Sequence, residues 1–166
     1  FINKFDRDAR EPLDLLNEIE DVLGIETYPM DWPIGMGRQF MGVYDRYNHR
    51  VALSHPQDPT NPYLPLNEDG QVIGENPLAG EGEWKDALDG MELIEMAGSE
   101  LDEEKIAKGD QTPVFFGSAL TNFGVKTFLE TYLKFAPAPS AHKMEDGKSI
   151  DPLAPEFSGF IFKIQA

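Results

Sequence analysis

The chain has 166 residues, of which 40% are aliphatic or aromatic, with 14 Lys+Arg against 30 Asp+Glu and no Cys. The formal charge of −16 excludes a sequence-wide basic surface for gripping nucleic-acid phosphates, and the lack of Cys excludes a disulfide framework, a thiolate zinc site and a Cys nucleophile in these residues. No run of 18 apolar residues offers a membrane span, and Phe1-Ile2-Asn3-Lys4 has no signal-peptide character. The length suits one domain, or one domain with pieces of its neighbours. The missing initiator Met and the two apolar residues at the start read as a cut inside a longer protein.

Phe1-Ile2 reads as the end of a buried strand running into a polar loop. Pro12 then sits where a first helical turn tolerates it. Leu15, Leu16, Ile19, Val22 and Leu23 share one helical stripe and Gly24 is a stop, so the spacing predicts a helix over 11–23. From 27 to 54, Ile34, Phe40, Val43, Tyr44, Val51 and Leu53 lie in short runs broken by Gly35, Gly37, Gly42 and Asn48-His49. These predict two or three short strands with a hairpin near Arg46–Arg50. Pro56, Pro59, Pro62, Pro65 and Pro77 make 55–82 a long loop or a loosely ordered strand pair, the mark of an insertion. Helical spacing returns at Trp84, Ala87, Leu88, Met91 and Ile94. Ser99, with Asp102 three residues on, resembles a capping box that opens a short second helix ended by Gly109. Pro113–Gly117 is a continuous apolar run, predicted as a buried strand, and Val125, Phe128, Leu129, Tyr132 and Ala136 follow as an amphipathic helix. Pro137, Pro139, Pro152 and Pro155 among charges make 137–155 an interdomain linker. Phe160, Phe162 and Ile164 alternate along 157–165 as a strand opening a new domain. Without the insert the order is βαβα, the unit of a parallel sheet covered by helices; residues 25–111 are expected to pack on a small core of their own, standing off the parent sheet, with the strand ending at Ile2 beside that at 113–117.

Ligands of open α/β sheets sit at the carboxyl ends of the strands. Two loops leave such ends here: Asn3-Lys4-Phe5-Asp6 and Gly117-Ser118-Ala119-Leu120. The carboxylate of Asp6 can accept a parallel pair of N–H donors, which guanine presents at N1–H and N2–H₂ and adenine does not. The alkyl stem of Lys4 can lie flat over a purine. Asn3 can tie loops together or donate to a base nitrogen. Ser118 and Ala119 are small enough to let a backbone N–H approach an acceptor such as guanine O6. The competing reading makes the first loop a plain helix entry.

N-K-F-D followed by S-A-L resembles the two guanine-recognition motifs of translation-factor GTPases. The wide spacing, Asp6 to Ser118, resembles elongation factor G and the peptide chain release factor 3 family, both of which carry an insert there. The finer text is similar to the release factor 3 family: Asn3–Asp8, Trp32–Gly37, Phe40–Tyr44, Pro113–Ser118, Asn122–Val125, Phe135–Pro139 and Phe157–Ala166, with 55–82 matching nothing. The resemblance implies an α/β fold: the C-terminal βαβα half of a P-loop GTPase domain with an inserted α+β subdomain, plus the first strand of a following β-barrel domain. The boundaries then fall at 1–24 and 112–136 for the GTPase domain, 25–111 for the insert, 137–155 for the linker and 156–166 for the barrel. It implies guanine-binding roles for Asn3, Lys4, Asp6, Ser118, Ala119 and Leu120, with GTP or GDP and Mg bound by the full-length protein. It further implies a bacterial, cytoplasmic factor that uses GTP on the ribosome to dislodge codon-reading release factors after the peptide is freed. Ribosome and release factors would be its partners, with no membrane and no direct nucleic-acid contact from this acidic chain. A fragment of elongation factor G or of a ribosomal protection protein, and a free-standing acidic interaction module, stay open as alternatives.

No G-x-x-x-x-G-K-[ST] phosphate loop occurs, so the chain is expected to carry base recognition without phosphate recognition, a catalytic residue or a bound nucleotide of its own. His49, His55 and His142 lack metal spacing and read as solvated loop residues. Residues 75–110 hold 12 acidic and 3 basic side chains, net −9, which reads either as solvated helix faces or as a face that avoids RNA and meets a protein. Trp32, Trp84, Met91 and Met96 are expected in the core.

Overall fold

The computed structural model describes residues 1–98, 100–144, 146–159 and 161–165, which gather into two units, Phe1–Phe135 and Ala136–Ala166. The first unit runs α1 (Pro12–Leu23), β1 (Glu26–Pro29), β2 (Asp31–Ile34), a 3₁₀ turn (Gly37–Gln39), β3 (Gly42–Asp45), β4 (Arg50–Leu53), β5 (Tyr63–Pro65), α2 (Gly82–Met96), α3 (Glu103–Lys108), β6 (Gln111–Val114) and α4 (Val125–Phe135). Helix α1 opens on Pro12 and ends at Gly24, whose φ of 68° lets its N–H reach Glu20 O at 2.8 Å. Its stripe is enclosed at Leu16 and half-buried at Leu15 and Ile19, while Val22 and Leu23 are exposed.

Strand β6 lies at the centre of the parallel sheet. On one edge Ile2 pairs beside Phe116: Ile2 N–H donates to Phe115 O at 2.7 Å and Gly117 N–H to Ile2 O at 3.1 Å. On the other edge β1 runs parallel in the register Glu26↔Gln111 to Pro29↔Val114, and Met30 N–H donates to Val114 O at 2.8 Å. Odd residues of this strand therefore face Ile2 and even residues face β1, as period-2 alternation requires. The missing N–H of Pro113 would point to the Ile2 edge, away from β1, so the ladder with β1 loses nothing by it. The strand at Ile2 lies beside 113–117 as expected, with no strand of 27–54 between them.

Strands β2 to β5 form an antiparallel meander in sequence order. The hairpin expected near Arg46–Arg50 joins β3 to β4 at 46–49, where Asp45 accepts from Asn48 N–H at 3.0 Å and from Arg50 Nε at 3.0 Å. The Pro-rich stretch contributes β5, and Arg50 lies over the Tyr63 ring at 3.7 Å. The expected separate core of the insert, standing off the parent sheet, is not found. β1 extends the parent sheet, and one cluster joins Phe5, Leu16, Val114 and Phe116 to Trp32, Ile34, Phe40, Val43, Val51, Trp84, Met91 and Ile94. The cause is the uncovered outer edge of β6: a lone parallel strand leaves its backbone groups unpaired, and β1 pairs them.

The chain crosses from one sheet to the other at Asp31. Its carboxylate Oδ1 accepts Phe116 N–H at 2.8 Å, continuing the ladder with a side chain while the backbone turns away into β2. Burial pushes the Asp31 carboxyl well above its ordinary range; the Phe116 N–H opposes that rise and the nearby Asp45 charge adds to it.

The N-cap of α3 is Asp102 itself, accepting from Glu104 N–H at 2.9 Å and Lys105 N–H at 3.0 Å, and Gly109 closes the helix at φ 83°. Ser99, the expected cap, lies outside the described residues. Gln111, fully buried, ties this corner together: its amide donates to Glu26 Oε1 and Glu100 O and accepts from Asp102 N–H, each at 2.9 Å. The hydrogen bond from Lys105, then that from Gln111, holds the Glu26 carboxyl below its ordinary range. Trp84 and Met91 are buried as expected, but Met96, in the last turn of α2, is 77% exposed. In α4, Phe128 packs on Phe1 and Phe115, whereas Leu129, Tyr132 and Leu133 are exposed.

In the second unit, part of the expected linker pairs as a short hairpin of β7 (His142–Lys143) and β8 (Ser149–Ile150). The strand expected over 157–165 forms no ladder among the described residues; Phe160 and Ala166, which belong to that expectation, lie outside them. Alternation supplies a face for a strand, but only partner hydrogen bonds make one.

Candidate functional site

The two loops at the carboxyl end of the Ile2–β6 pair meet. Asn3 Oδ1 accepts both Lys4 N–H and Ala119 N–H at 2.8 Å, so one side chain shapes its own loop and ties it to the second. Phe5 N–H donates to Gly117 O at 3.1 Å, and the Phe5 ring, fully buried, meets Phe116 edge-on at 5.1 Å. Lys4 sits between these anchors at φ 77°, in the left-handed region that lysine rarely adopts. Its exposed side chain leaves the loop for solvent while Arg7 N–H closes the turn on Lys4 O at 3.0 Å.

Asp6 lies within this turn. Its Oδ1 is buried and has no hydrogen-bond partner. Leaving a carboxylate oxygen shielded and unpaired costs about 1–3 kcal/mol or more, so Oδ1 can take a donor that the described residues do not supply.

The second loop is held from beneath. Ser118 is fully buried; its N–H donates to Phe123 O at 3.1 Å, its O accepts Phe123 N–H at 2.8 Å, and its Oγ accepts Thr121 N–H at 3.3 Å. Gly117 is required there, because a Cβ would lie 2.6 Å from Phe123 O and 2.9 Å from the Phe1 ring. Ser118 N–H and Ala119 N–H are already engaged, and Leu120 N–H is the donor left without an acceptor among the described residues. The Leu120 side chain is 77% exposed.

The structure thus brings Asn3, Lys4, Asp6, Ser118, Ala119 and Leu120 onto two bonded loops, with Ser118 turned inward as a support. Sequence reasoning missed a third contributor, the segment Met36–Phe40. Gly37 N–H donates to Phe5 O at 2.9 Å, Ala9 N–H points at Met36 Sδ at 3.4 Å, and the Phe40 ring lies 6.3 Å from Phe5 and 5.2 Å from Phe123. The only local signal was the Gly35-Met36-Gly37 pattern, since both glycines hold positive φ. Among the described residues no three metal-ligating side chains gather, and no helix is long and apolar enough to cross a membrane.

Residues 1–138 match the family model of the elongation factor Tu GTP binding domain. The whole chain is 80% identical to peptide chain release factor 3 of Limosilactobacillus reuteri (strain DSM 20016), aligning 100% of this chain with 32% of that protein. It is 63% identical to the Levilactobacillus brevis protein of that name and 58% identical to that of Enterococcus faecalis, again over 100% of this chain and 32% of each relative. The chain spans about a third of the length of the curated relatives it matches.

Proposed function

The chain belongs to the elongation factor Tu GTP-binding domain family and is similar to peptide chain release factor 3 along its whole length. From that premise we propose that it supplies the guanine-reading half of a GTPase that acts in translation termination. The observation that carries this reading is the buried, unpartnered Oδ1 of Asp6 at the joined loops. Guanine N1–H and N2–H₂ are a matching pair of donors, and charge-assisted bonds of this kind are worth roughly 1.5–3 kcal/mol each. Leu120 N–H is the donor for guanine O6, Lys4 lays its stem along the purine, and Asn3 holds the two loops in register. The family match favours this reading over a free-standing acidic module.

No residue of this chain takes a catalytic role. The 166 residues contain no phosphate loop, and phosphate and magnesium contacts supply most of the electrostatic grip and the chemistry of such sites. This chain alone therefore holds GTP weakly and does not hydrolyse it. In the full-length protein, with Mg, GTP turnover on the ribosome would release the codon-reading release factors, in the cytoplasm. Residues 157–166 would open the next domain, a reading supported by their similarity to the first barrel strand of such factors.

The test is Asp6→Asn in the full-length protein, with turnover on ribosomes measured against GTP and xanthosine triphosphate. The amide turns one acceptor into a donor, so GTP affinity falls by about 10²-fold or more. Xanthine, with an oxygen in place of the 2-amino group, is gained, and ATP stays rejected. Normal GTP turnover with no gain for the xanthine nucleotide would overturn the assignment.

A further inference from the structure

We propose that Gly37 and Phe40, in the inserted region, are positioning residues for base recognition: they hold the Asp6 carboxylate in line and so set the preference for a purine that carries a 2-amino group. The proposal rests on Asp6 reading the base, as argued above.

Asp6 is fixed from both sides in sequence, and Gly37 acts on both. Before it, Phe5 O accepts Gly37 N–H at 2.9 Å. After it, the backbone of Asp8 lies against Gly37: a Cβ there would collide with Asp8 Oδ1 and come 3.3 Å from Asp8 N, and the φ of 60° disfavours any other residue. Ala9 N–H then points at Met36 Sδ at 3.4 Å. No helix holds Asp6, since α1 begins only at Pro12. Its direction is therefore set by the strained turn at Lys4 and by this brace. A strained non-glycine turn persists only where its surroundings over-determine it.

Phe40 couples the two loops from below. Its buried ring touches Phe5, the anchor of the first loop, and meets Phe123 edge-on at 83°. Phe123 bonds Ser118 in both directions and so anchors the second loop. Removing the Phe40 ring frees both anchors at once, although Phe40 lies 34 positions from Asp6 in the chain.

The experiment compares GTP with inosine triphosphate, which lacks the 2-amino group and so reports the second Asp6 acceptor. Binding is measured on the full-length protein with Phe40→Ala, Phe40→Leu, Gly37→Ala and, as a control, Val51→Ala. Val51 is fully buried in the meander and touches neither loop's anchor bonds. Phe40→Ala and Gly37→Ala are expected to weaken GTP about 10-fold and to narrow the GTP/inosine triphosphate ratio by a similar factor, because a loosened support misplaces the reading group. Phe40→Leu, which refills the space, restores most of the ratio. Val51→Ala lowers the melting temperature and leaves the ratio unchanged. Should Phe40→Ala fail to fold, Gly37→Ala decides on the same ratio. An unchanged ratio in folded Phe40→Ala or Gly37→Ala overturns the proposal. If Asp6→Asn also leaves the ratio unchanged, it is the base-reading assignment itself that fails.

Discussion

The two sheets of the first unit are built on opposite plans. The parallel sheet collects its strands from positions 2, 26–29 and 111–117, so every contact in it is long-range. The antiparallel meander takes 31–65 in one sweep, each strand pairing with the next. The two joined loops hang from the first plan, and meander residues such as Trp32 and Phe40 share one core with Phe5 and Phe116 beneath them. A region that reads as an insert in sequence thus contributes to the core under those loops.

The hardest blow to this comparison is Phe116→Ala. Phe116 is fully buried, 5.1 Å from the Phe5 ring and 5.8 Å from the Trp32 ring, and so touches both plans. Its loss is expected to cost about 3–5 kcal/mol. Hydrogen exchange on the full-length protein should show β1, β6 and β2–β4 losing protection together. Protection lost from β6 but kept in the meander would mean two independently stable sheets.

A gentler probe sharpens the seam. Asp31→Asn keeps the oxygen that accepts Phe116 N–H but cannot ionise. Because the folded pKa of Asp31 lies above its unfolded value, ionisation penalises the folded state. No penalty exists below the ordinary carboxylate pKa, and it grows as pH rises toward and through the raised value. The variant is expected to match the parent near pH 3 and to exceed it at pH 7, by about 1.4 kcal/mol for each unit of displacement. Melting curves across that range check the sign; equal stability at both ends would remove Asp31 from the account of the seam.

The smallest expected effect separates the plans again. Asp102→Ala removes the cap of α3, about 1 kcal/mol. The amides of Glu104 and Lys105 should exchange faster, with a lesser change at Gln111, which bonds Asp102 N–H, and none in β2–β4. Spread of the effect into the meander would contradict the separation.

Much of this was legible in the residues. Pro12 and Gly24 bracket α1, Asn48-His49 marks the hairpin, and the apolar run before Ser118 is the central strand, because each signal is local. That the Asn3 and Ser118 loops lie at one end of the sheet was expected from their place after two apolar strands and from the motif resemblance, and Ala119 N–H bonds Asn3 there. What stayed hidden depends on distant partners. Nothing in Glu26-Thr27-Tyr28-Pro29 says that it pairs with a strand 85 residues on, and nothing in the sequence marks Asp31 as the partner of the Phe116 amide. Helical stripes show which residues share a face but not whether that face is covered, which is why Val22 and Leu129 stand exposed. Phe40 read as one residue of a short strand because its importance lies in which two rings it touches.

The bond between Asn3 and Ala119 joins residues 116 positions apart. A chain emerging from the ribosome at about 5–20 residues per second holds Asn3 for roughly 6 to 23 s before its partner exists. The meander is complete by Pro65, more than fifty residues sooner, and can pair locally in that interval. Order of synthesis thus matches order of dependence: the brace is made first, and the loop it supports is closed last.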